Sequence, residues 1–257
     1  MGGSEAERRG SRAQVDAYLA ELAGRARSVL DERLVGVYAG GSLALGAYEH
    51  GRSDLDVAVV VDGRLERSVK EELVAAWRHE SLPCPARGLE LVVYSRAAAA
   101  APTTDVDFEL NLNTGREMTF RADMAFDPSI GGHWFPIDRA ILRQHALSIV
   151  GPAASEVFGE IPRDVLLPVV AESLRWHEAS EPWGDNSVLN ACRALRWART
   201  GKWTSKPDAA AWALEQGVGD PTTIAAALAA RTGARPIAPA DAVAFVRAAL
   251  APLEQGI

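Results

Sequence analysis

Residues 40–62 read GGSLALGAYEHGRSDLDVAVVVD, and two aspartates, Asp54 and Asp56, stand there at the start of a strongly β-forming run. Residues two apart on a strand point to the same face, so both carboxylates project together from one strand end. Neighbouring like charges are unfavourable unless a cation or strong hydrogen bonds neutralise them, and hard oxygen ligands select magnesium or manganese. The alternative is a solvated strand start in which Asp54 caps a turn through Ser53.

The sequence on both sides of this stretch predicts alternating helices and strands. Apolar residues recur at three- and four-residue spacing over residues 15–30 and 65–77, which is typical of amphipathic helices. Four short runs predict strands: LVGVYAG, DLDVAVVVDG, GLELVVYS and FELNLNTG. The resulting β-α-β-α-β order predicts an α/β sheet with helices on its faces.

The pattern changes beyond about residue 135. Successive segments, from PIDRAILRQHALSIVG to APADAVAFVRAALAPLEQ, have helical spacing and open at Pro, Ser or Asp start signals. This half is predicted to be a helical bundle with no strands. We therefore expect two domains, one of residues 1–150 and one of residues 151–257.

The composition limits the classes of function. With 48% hydrophobic and 24% charged residues in 257, the chain is expected to be soluble and globular. No signal-like or membrane-spanning segment is found, so a cytoplasmic protein is expected. The formal net charge of -7 argues against nucleic acid and suits a cationic small molecule. Cys84 and Cys192 belong to no metal-binding motif and are predicted to be buried thiols.

A glycine turn and a third acid strengthen the metal interpretation. Gly40, Gly41 and Ser42 form a predicted strand-to-helix turn, where small residues and free N–H groups let a phosphate approach the backbone. Glu90 lies within an otherwise apolar strand, where an unpaired carboxylate would be unfavourable. If the two strands are neighbours, Asp54, Asp56 and Glu90 converge. Alternatively, Glu90 lies on the wet face of an edge strand.

The combination of these motifs resembles a known superfamily. GGS, a gap and then SDLDV resembles the GS…DxD signature of the polymerase-β-like nucleotidyltransferases, whose two aspartates and later third acid bind magnesium. The segment RWHEASEPWGDNSVLNACRALRWARTGKWTSKPDAAAWAL resembles the helical domain of the aminoglycoside adenylyltransferases that modify streptomycin and spectinomycin, and ILRQHALSIVGP resembles their interdomain segment. The resemblance covers most of the chain from about residue 34 to 250. It implies a mixed-sheet nucleotidyltransferase domain followed by an all-α helical bundle domain that completes the ATP and drug site.

The resemblance implies roles for particular residues of the first domain. Asp54, Asp56 and Glu90 would be the metal ligands, and Glu90 would also be the general base for the drug hydroxyl. The residues near the ATP phosphates would be Gly41, Ser42 and Ser53.

Two basic residues of the helical half match residues that contribute to ATP binding in the family. They are Arg193 of ACRAL and Lys206 of TSKPDAA. Lys206 also lies near a predicted helix start, where the helix dipole disfavours a cation unless an anion is nearby. The alternatives are a surface helical arginine and a solvated lysine.

The predicted drug-binding residues lie in RWHEASEPWGD. The resemblance makes Trp176 an aromatic wall, and Glu181 and Asp185 acids that receive the cationic or hydroxyl groups of the antibiotic. The family usually has aspartate at the position of Glu181. Without the resemblance, Trp176 would be interpreted as a core residue and the acids as a solvated helix end.

One departure concerns a tryptophan that streptomycin-modifying members carry shortly after the fourth strand. Gly115 or Met118 stands near that point here, and Trp134 or His133 is the candidate replacement. This departure argues against streptomycin as the acceptor more than against adenylyl transfer, and the alternatives to streptomycin are spectinomycin alone or another hydroxylated cationic compound.

The implied activity is the magnesium-dependent transfer of AMP from ATP to an antibiotic hydroxyl, with two Mg²⁺ ions and release of pyrophosphate. The expected partners are ATP and a cationic aminoglycoside or aminocyclitol, without nucleic acid or membrane, and the protein is expected to be a monomer that gives antibiotic resistance. One alternative is a nucleotidyltransferase that acts on a protein hydroxyl, as in toxin–antitoxin systems. The other is a non-catalytic drug-binding module, which would not need Glu90.

Overall fold

Two parallel strands, β2 (Leu55–Val61) and β3 (Leu89–Ser95), bring Asp56 and Glu90 together at one end of a six-stranded mixed sheet. The computed structural model describes residues 5–179, 184–233 and 235–256. Its residues divide into two compact units, Met1–Gly131 with Asp138–Glu160, and Gly132–Ile137 with Ile161–Ile257. The predicted division at residue 150 stays a prediction.

The first unit contains the sheet and the helices that cover it. Its strands are β1 (Leu34–Ala39), β2 (Leu55–Val61), β3 (Leu89–Ser95), β4 (Leu110–Gly115), β5 (Met118–Asp123) and β6 (Leu147–Val150). Its helices are α1 (Glu5–Leu30), α2 (Gly41–Ala44), α3 (Arg67–Trp77), α4 (Arg96–Ala100) and α6 (Ala154–Val157), and α5 (Trp134–His145) includes residues of both units. The strand order is β5-β4-β3-β2-β1-β6, and only β2 and β3 among the neighbouring pairs are parallel.

The core of this unit lies between the sheet and the two long helices. The apolar positions of α1 are buried, as their spacing predicts: Val15, Leu19, Leu22, Ala26 and Leu30. From α3, Leu73 and Trp77 enter the same core, and the Trp77 indole donates a hydrogen bond to the Leu22 carbonyl at 3.2 Å. The predicted α/β class is confirmed for this half of the chain.

The prediction that no strand follows residue 135 is wrong. The segment PIDRAILRQHALSIVG does not remain helical, because α5 ends at His145 and Leu147–Val150 forms β6. β6 pairs antiparallel with β1, which would otherwise be an edge strand with unpaired backbone groups. Leu147, Ile149 and Val150 also pack against the core of the unit. β5 is likewise a strand that the sequence patterns did not indicate.

The second unit is helical. It contains α7 (Arg163–Ala179), α8 (Asp185–Thr200), α9 (Lys206–Glu215), α10 (Pro221–Arg231) and α11 (Pro239–Glu254). α8 packs against each of the other four helices, and its apolar face is fully buried from Val188 to Ala198. The predicted all-α character of this region is therefore confirmed from α7 onward.

Cys84 and Cys192 are buried free thiols, as predicted. Of the helices in the described ranges, none is long and apolar enough to cross a membrane.

Candidate active site

The acids of the first unit meet because β2 and β3 are neighbours. Asp56 on β2 is the register partner of Glu90 on β3, and Asp54 lies one residue before β2 begins. β3 lies between β2 and β4, so Glu90 is not on an edge strand. The predicted convergence of Asp54, Asp56 and Glu90 at one end of the sheet is confirmed, and the edge-strand alternative for Glu90 is wrong.

Glu90 has an unusual protonation equilibrium. Burial and the nearby carboxylates of Asp56 and Asp54 raise the pKa of Glu90 to about 8. Asp138 on α5 adds a further negative charge that raises this pKa, and Arg87 acts in the opposite direction. A carboxyl group whose pKa lies near neutral pH is suited to accept and release a proton.

The glycine turn touches the acid group directly. The backbone N–H of Gly40 donates to the carbonyl of Asp56 at 2.8 Å, which joins the end of β1 to the start of β2. Gly41 has φ +51, and a Cβ at this position would lie 1.6 Å from Oδ2 of Asp56. Only glycine fits here, because the conformation is left-handed and the carboxylate occupies the space of a side chain.

Ser42 follows in the first turn of α2. Its Oγ is buried and has no hydrogen-bond partner among the residues that the structure describes. A buried hydroxyl without a partner is unfavourable in a folded protein, and an ATP phosphate oxygen would satisfy it. This supports the predicted place of Ser42 beside a phosphate.

Ser53 stabilises the loop before β2 through two hydrogen bonds. Its Oγ accepts from the Glu49 N–H at 3.0 Å, and its own N–H donates to the Glu49 carbonyl at 2.8 Å. These bonds close the loop that leads into β2. A contact between Ser53 and ATP stays a prediction.

Asp54 is paired with Arg87, which the sequence analysis did not identify. A guanidinium nitrogen of Arg87 lies 2.7 Å from Oδ2 of Asp54. Asp54 thus does not simply cap a turn, and its charge is offset by a cation at the start of the neighbouring strand.

A magnesium ion fits the donor chemistry of this group. Within the described ranges, no three His, Cys, Asp or Glu side chains are already arranged to hold a metal ion, and Asp54 faces Arg87 instead. However, Asp56 and Glu90 are register partners on neighbouring strands, and burial together with the nearby acids raises the pKa of Glu90, so a cation bound there would stabilise its charged form. The three acids as magnesium ligands stay a prediction.

In the second unit, Arg193 belongs to an aromatic stack. The guanidinium carbon of Arg193 lies 5.7 Å from the ring centroid of Trp203, and Trp203 stacks on Trp197 with centroids 5.1 Å apart. Trp203 is buried. A cation over an indole face is held in a defined orientation, so Arg193 is not merely a solvated surface arginine.

Lys206 is the first residue of α9. Its Nζ donates to Oδ1 of Asn186 on α8 at 2.5 Å. Ser205 caps the helix by accepting from the Asp208 N–H at 3.2 Å. Lys206 is half-buried, and its bond to Asn186 fixes the direction of its side chain. It lies at the helix end where the dipole is positive and disfavours a cation.

Trp176 lies in an aromatic group on the second unit. Its ring centroid is 6.0 Å from that of Trp134, 5.7 Å from that of His133 and 5.1 Å from that of His177. Trp176 itself is only partly buried. The two residues predicted as replacements for the family tryptophan, Trp134 and His133, thus both contact the predicted drug-wall residue.

Of the two predicted drug-binding acids, the structure places one. Asp185 is the first residue of α8, beside Asn186, and is partly buried. Glu181 lies outside the described residues. Contacts of both acids with a drug stay predictions.

Some residues at these positions were missed by sequence reasoning. Arg87 stands three residues before Glu90, but an arginine before a strand carries no signal of its own. Asp138 on α5, Asn186 on α8 and Trp203 between α8 and α9 were also missed, because only the fold shows which residues they contact or influence.

The chain matches two known protein families. Residues 156–251 match the family described as aminoglycoside adenylyltransferase, C-terminal domain, and residues 24–96 match the nucleotidyltransferase domain.

Two curated relatives are aminoglycoside (3'') (9) adenylyltransferases, from Shigella flexneri and Escherichia coli. Each is 30% identical to this chain over 218 residues, which is 79% of this chain and 80% of the relative. A crystal structure of a spectinomycin adenyltransferase from Enterococcus faecialis with ATP and spectinomycin has the same fold. Its TM-score is 0.64 with 17% sequence identity, and the match covers 93% of this chain and 98% of that chain.

Proposed function

Because this chain belongs to the aminoglycoside adenylyltransferase family, we propose that it transfers AMP from ATP to a hydroxyl group of spectinomycin or streptomycin. The chain is a nucleotidyltransferase enzyme. The observation that carries the proposal is the group of Asp54, Asp56 and Glu90 beside the Gly41 turn, because acids suited to metal binding and proton transfer lie directly against a glycine turn at a helix start.

Each residue of the first unit has a proposed task in this reaction. Glu90 accepts the proton of the drug hydroxyl, whose oxygen then attacks the α-phosphorus of ATP while the bond to pyrophosphate breaks. Ser42 donates a hydrogen bond to a phosphate oxygen. Asp54, Asp56 and Glu90 would hold Mg²⁺, two ions serving the reaction, and bound Mg²⁺ would neutralise phosphate charge and orient the reacting groups.

Residues of the second unit bind the two substrates in this proposal. Arg193 and Lys206 offset the negative charge of the triphosphate, for which a stacked guanidinium and an oriented ammonium are suited. Asp185 and Glu181 attract the cationic groups of the drug, and the Trp176 ring covers its sugar or cationic surface. Under this proposal, residues 1–150 and residues 151–257 are both needed for activity. The enzyme would act as a monomer and would need no nucleic acid.

The deciding experiment incubates the purified protein with ATP, Mg²⁺ and a panel of aminocyclitol and aminoglycoside drugs. We expect mass spectrometry to find a nucleoside-monophosphate adduct on spectinomycin or streptomycin, and the Glu90→Gln variant to produce far less of it in the same time. No adduct on any drug would reject the proposal. Label from ATP on protein instead of drug would favour the protein-modifying alternative.

A further inference from the structure

Arg87 forms an ion pair with a predicted metal ligand, and the proposed reaction has no task for it. Its guanidinium lies 2.7 Å from Oδ2 of Asp54, and the two side chains are 44% and 25% exposed. Asp54 is also one of the acids for which we propose a Mg²⁺ contact. The Asp54 carboxylate can therefore pair with either of two cations, the Arg87 guanidinium or a Mg²⁺ ion.

The backbone holds Arg87 beside Asp54. The N–H of Arg87 donates to the Ser53 carbonyl at 3.2 Å, and the N–H of Leu55 donates to the Gly88 carbonyl at 2.9 Å. These two bonds join the residue before Asp54 to Arg87 and the residue after it to Gly88. The pairing thus follows from parallel strands that start side by side, and not from the chance reach of a long side chain.

The charges near Arg87 explain why a cation is useful there. Asp56 and Glu90 are register partners, and Asp54 lies two residues before Asp56, so three carboxylates lie at one end of the sheet. The negative charges of Asp54 and Glu90 both act on the Arg87 guanidinium, and so does Glu117 from the turn between β4 and β5. Without a neighbouring cation, like charges in a partly buried site would repel one another and destabilise the strand starts.

We propose that Arg87 is a positioning residue: it is the counter-ion of the acid group in the metal-free enzyme, and it gives up Asp54 when Mg²⁺ binds. The inference rests on the proposed function, because it takes Asp54 as a magnesium ligand. Mg²⁺ binds through oxygen atoms in a strict octahedral arrangement. The Asp54 oxygen that accepts from Arg87 is one of only two that this side chain offers, and a guanidinium next to the ion adds repulsion.

If Arg87 has this role, its removal should lower the stability of the metal-free protein and raise its affinity for a divalent cation. Removing the charge of Arg87 leaves the acids uncompensated, so the metal-free protein becomes less stable. The same change removes the competitor for Asp54, so a divalent cation binds more tightly. A merely structural arginine would weaken both properties, because a distorted strand start would also distort the ligands.

The test compares wild type, Arg87→Gln and Arg87→Lys as full-length proteins without nucleotide. Binding of Mn²⁺ alone is measured by the loss of the free-ion signal in electron paramagnetic resonance, and thermal unfolding is measured in a chelator. For Arg87→Gln we expect the Mn²⁺ Kd to fall about 3- to 10-fold and the metal-free Tm to fall by about 2–4 °C. Arg87→Lys keeps the charge without the planar fork, and its values should lie between those of the other two proteins.

Arg78→Gln is the matched control. Arg78 pairs with Glu80 at 2.8 Å on the protein surface, so this variant makes the same change in net charge without removing an ion pair to Asp54, Asp56 or Glu90. It should leave both the Mn²⁺ Kd and the metal-free Tm at the wild-type values. A Mn²⁺ Kd that stays the same or rises in Arg87→Gln would overturn the inference, as would an unchanged Tm. If neither wild type nor Arg87→Gln binds Mn²⁺, the proposed metal site itself is wrong and the inference is rejected with it.

Discussion

Asp56 and Glu90 are directly opposite each other on adjacent parallel strands, β2 and β3. Two carboxylates in this position oppose folding, because burial and mutual repulsion both disfavour their charged forms. A chain retains such a pair where the charges serve a ligand. In the proposed reaction, the two carboxylates bind divalent cations, and Glu90 also accepts the proton of the acceptor hydroxyl.

Replacing Glu90 with Gln should separate chemistry from stability. We expect adenylyl transfer to fall by at least about 10²-fold, because the general base is lost. ATP affinity should change little, and the metal-free Tm should rise because the protein no longer buries an ionisable carboxyl group beside Asp56. Product formation, ATP titration and thermal unfolding measure the three effects. Glu117→Gln, at an exposed acid in the turn between β4 and β5, should keep wild-type activity.

Replacing Gly41 with Ala tests the close approach of the turn to Asp56. The new Cβ would lie 1.6 Å from Oδ2 of Asp56, so the carboxylate must move, and we expect activity to fall by about 10²-fold. Gly46→Ala is the control, since Gly46 has φ +70 but no atom within 4 Å of the added Cβ. It should lower stability by about 1 kcal/mol through backbone strain alone and leave kcat near wild type. Equal losses of activity in both variants would contradict this role for Gly41.

Arg193 and Arg199 both lie over indole rings, and they differ in their expected roles. The guanidinium carbon of Arg199 is 5.9 Å from the Trp212 ring centroid, compared with 5.7 Å between Arg193 and Trp203. Arg193→Ala should raise the KM for ATP about 10-fold or more, because a charge-assisted contact to phosphate is lost. Arg199→Ala removes a similar stack without a proposed phosphate contact, so its KM should stay at the wild-type value. Steady-state kinetics with varied ATP measure both.

Replacing Asp185 should weaken binding of the drug and leave binding of ATP unchanged. Asp185→Asn removes a negative charge proposed to face the cationic antibiotic, and we expect the drug KM to rise about 5- to 50-fold with an unchanged ATP KM. Asp164→Asn is the control, because Asp164 is also an acid in the first turn of a helix of this unit, α7. Its effect should be limited to the small loss of a helix-dipole interaction. A higher ATP KM in Asp185→Asn would argue against its assignment to the drug.

His133 should make the stability of the protein depend on pH. Burial among aromatic rings, with a smaller effect of His177, lowers the pKa of His133 from 6.5 to about 4. Below about pH 6.5 the unfolded chain therefore takes up a proton that the folded chain refuses until about pH 4. The free energy of unfolding should fall across this interval by at most about 3 kcal/mol.

Chemical denaturation at several pH values between 7 and 4 measures this effect. His133→Phe keeps an aromatic ring without a titratable group, so its curve should be flatter than that of wild type. Parallel curves for the two proteins would show that another group is responsible for the loss of stability.

The amino-acid sequence by itself determined most of the local helices and strands, and the residue types of the glycine turn and acids in the first unit. Alternation and helical spacing are local properties, so the sequence predicted the strands β1 to β4, the long helices, and the combination of small residues and acids in GGS…SDLD. The apolar run of Val57–Val61 predicted a buried strand, but whether that strand lies next to the strand of Glu90 was left open by the sequence and was decided by the fold.

The tertiary structure alone decided which distant residues meet. β6 forms by pairing with β1, whose backbone groups on that side would otherwise be unpaired. A four-residue strand after a helix has too short a pattern to be distinguished from the end of that helix. In the same way, Arg87 meets Asp54, and Trp134 meets Trp176, across intervals of sequence that carry no local signal. Local patterns report which face of an element is apolar, whereas contacts between side chains depend on strand order, register and helix packing, which only the folded chain defines.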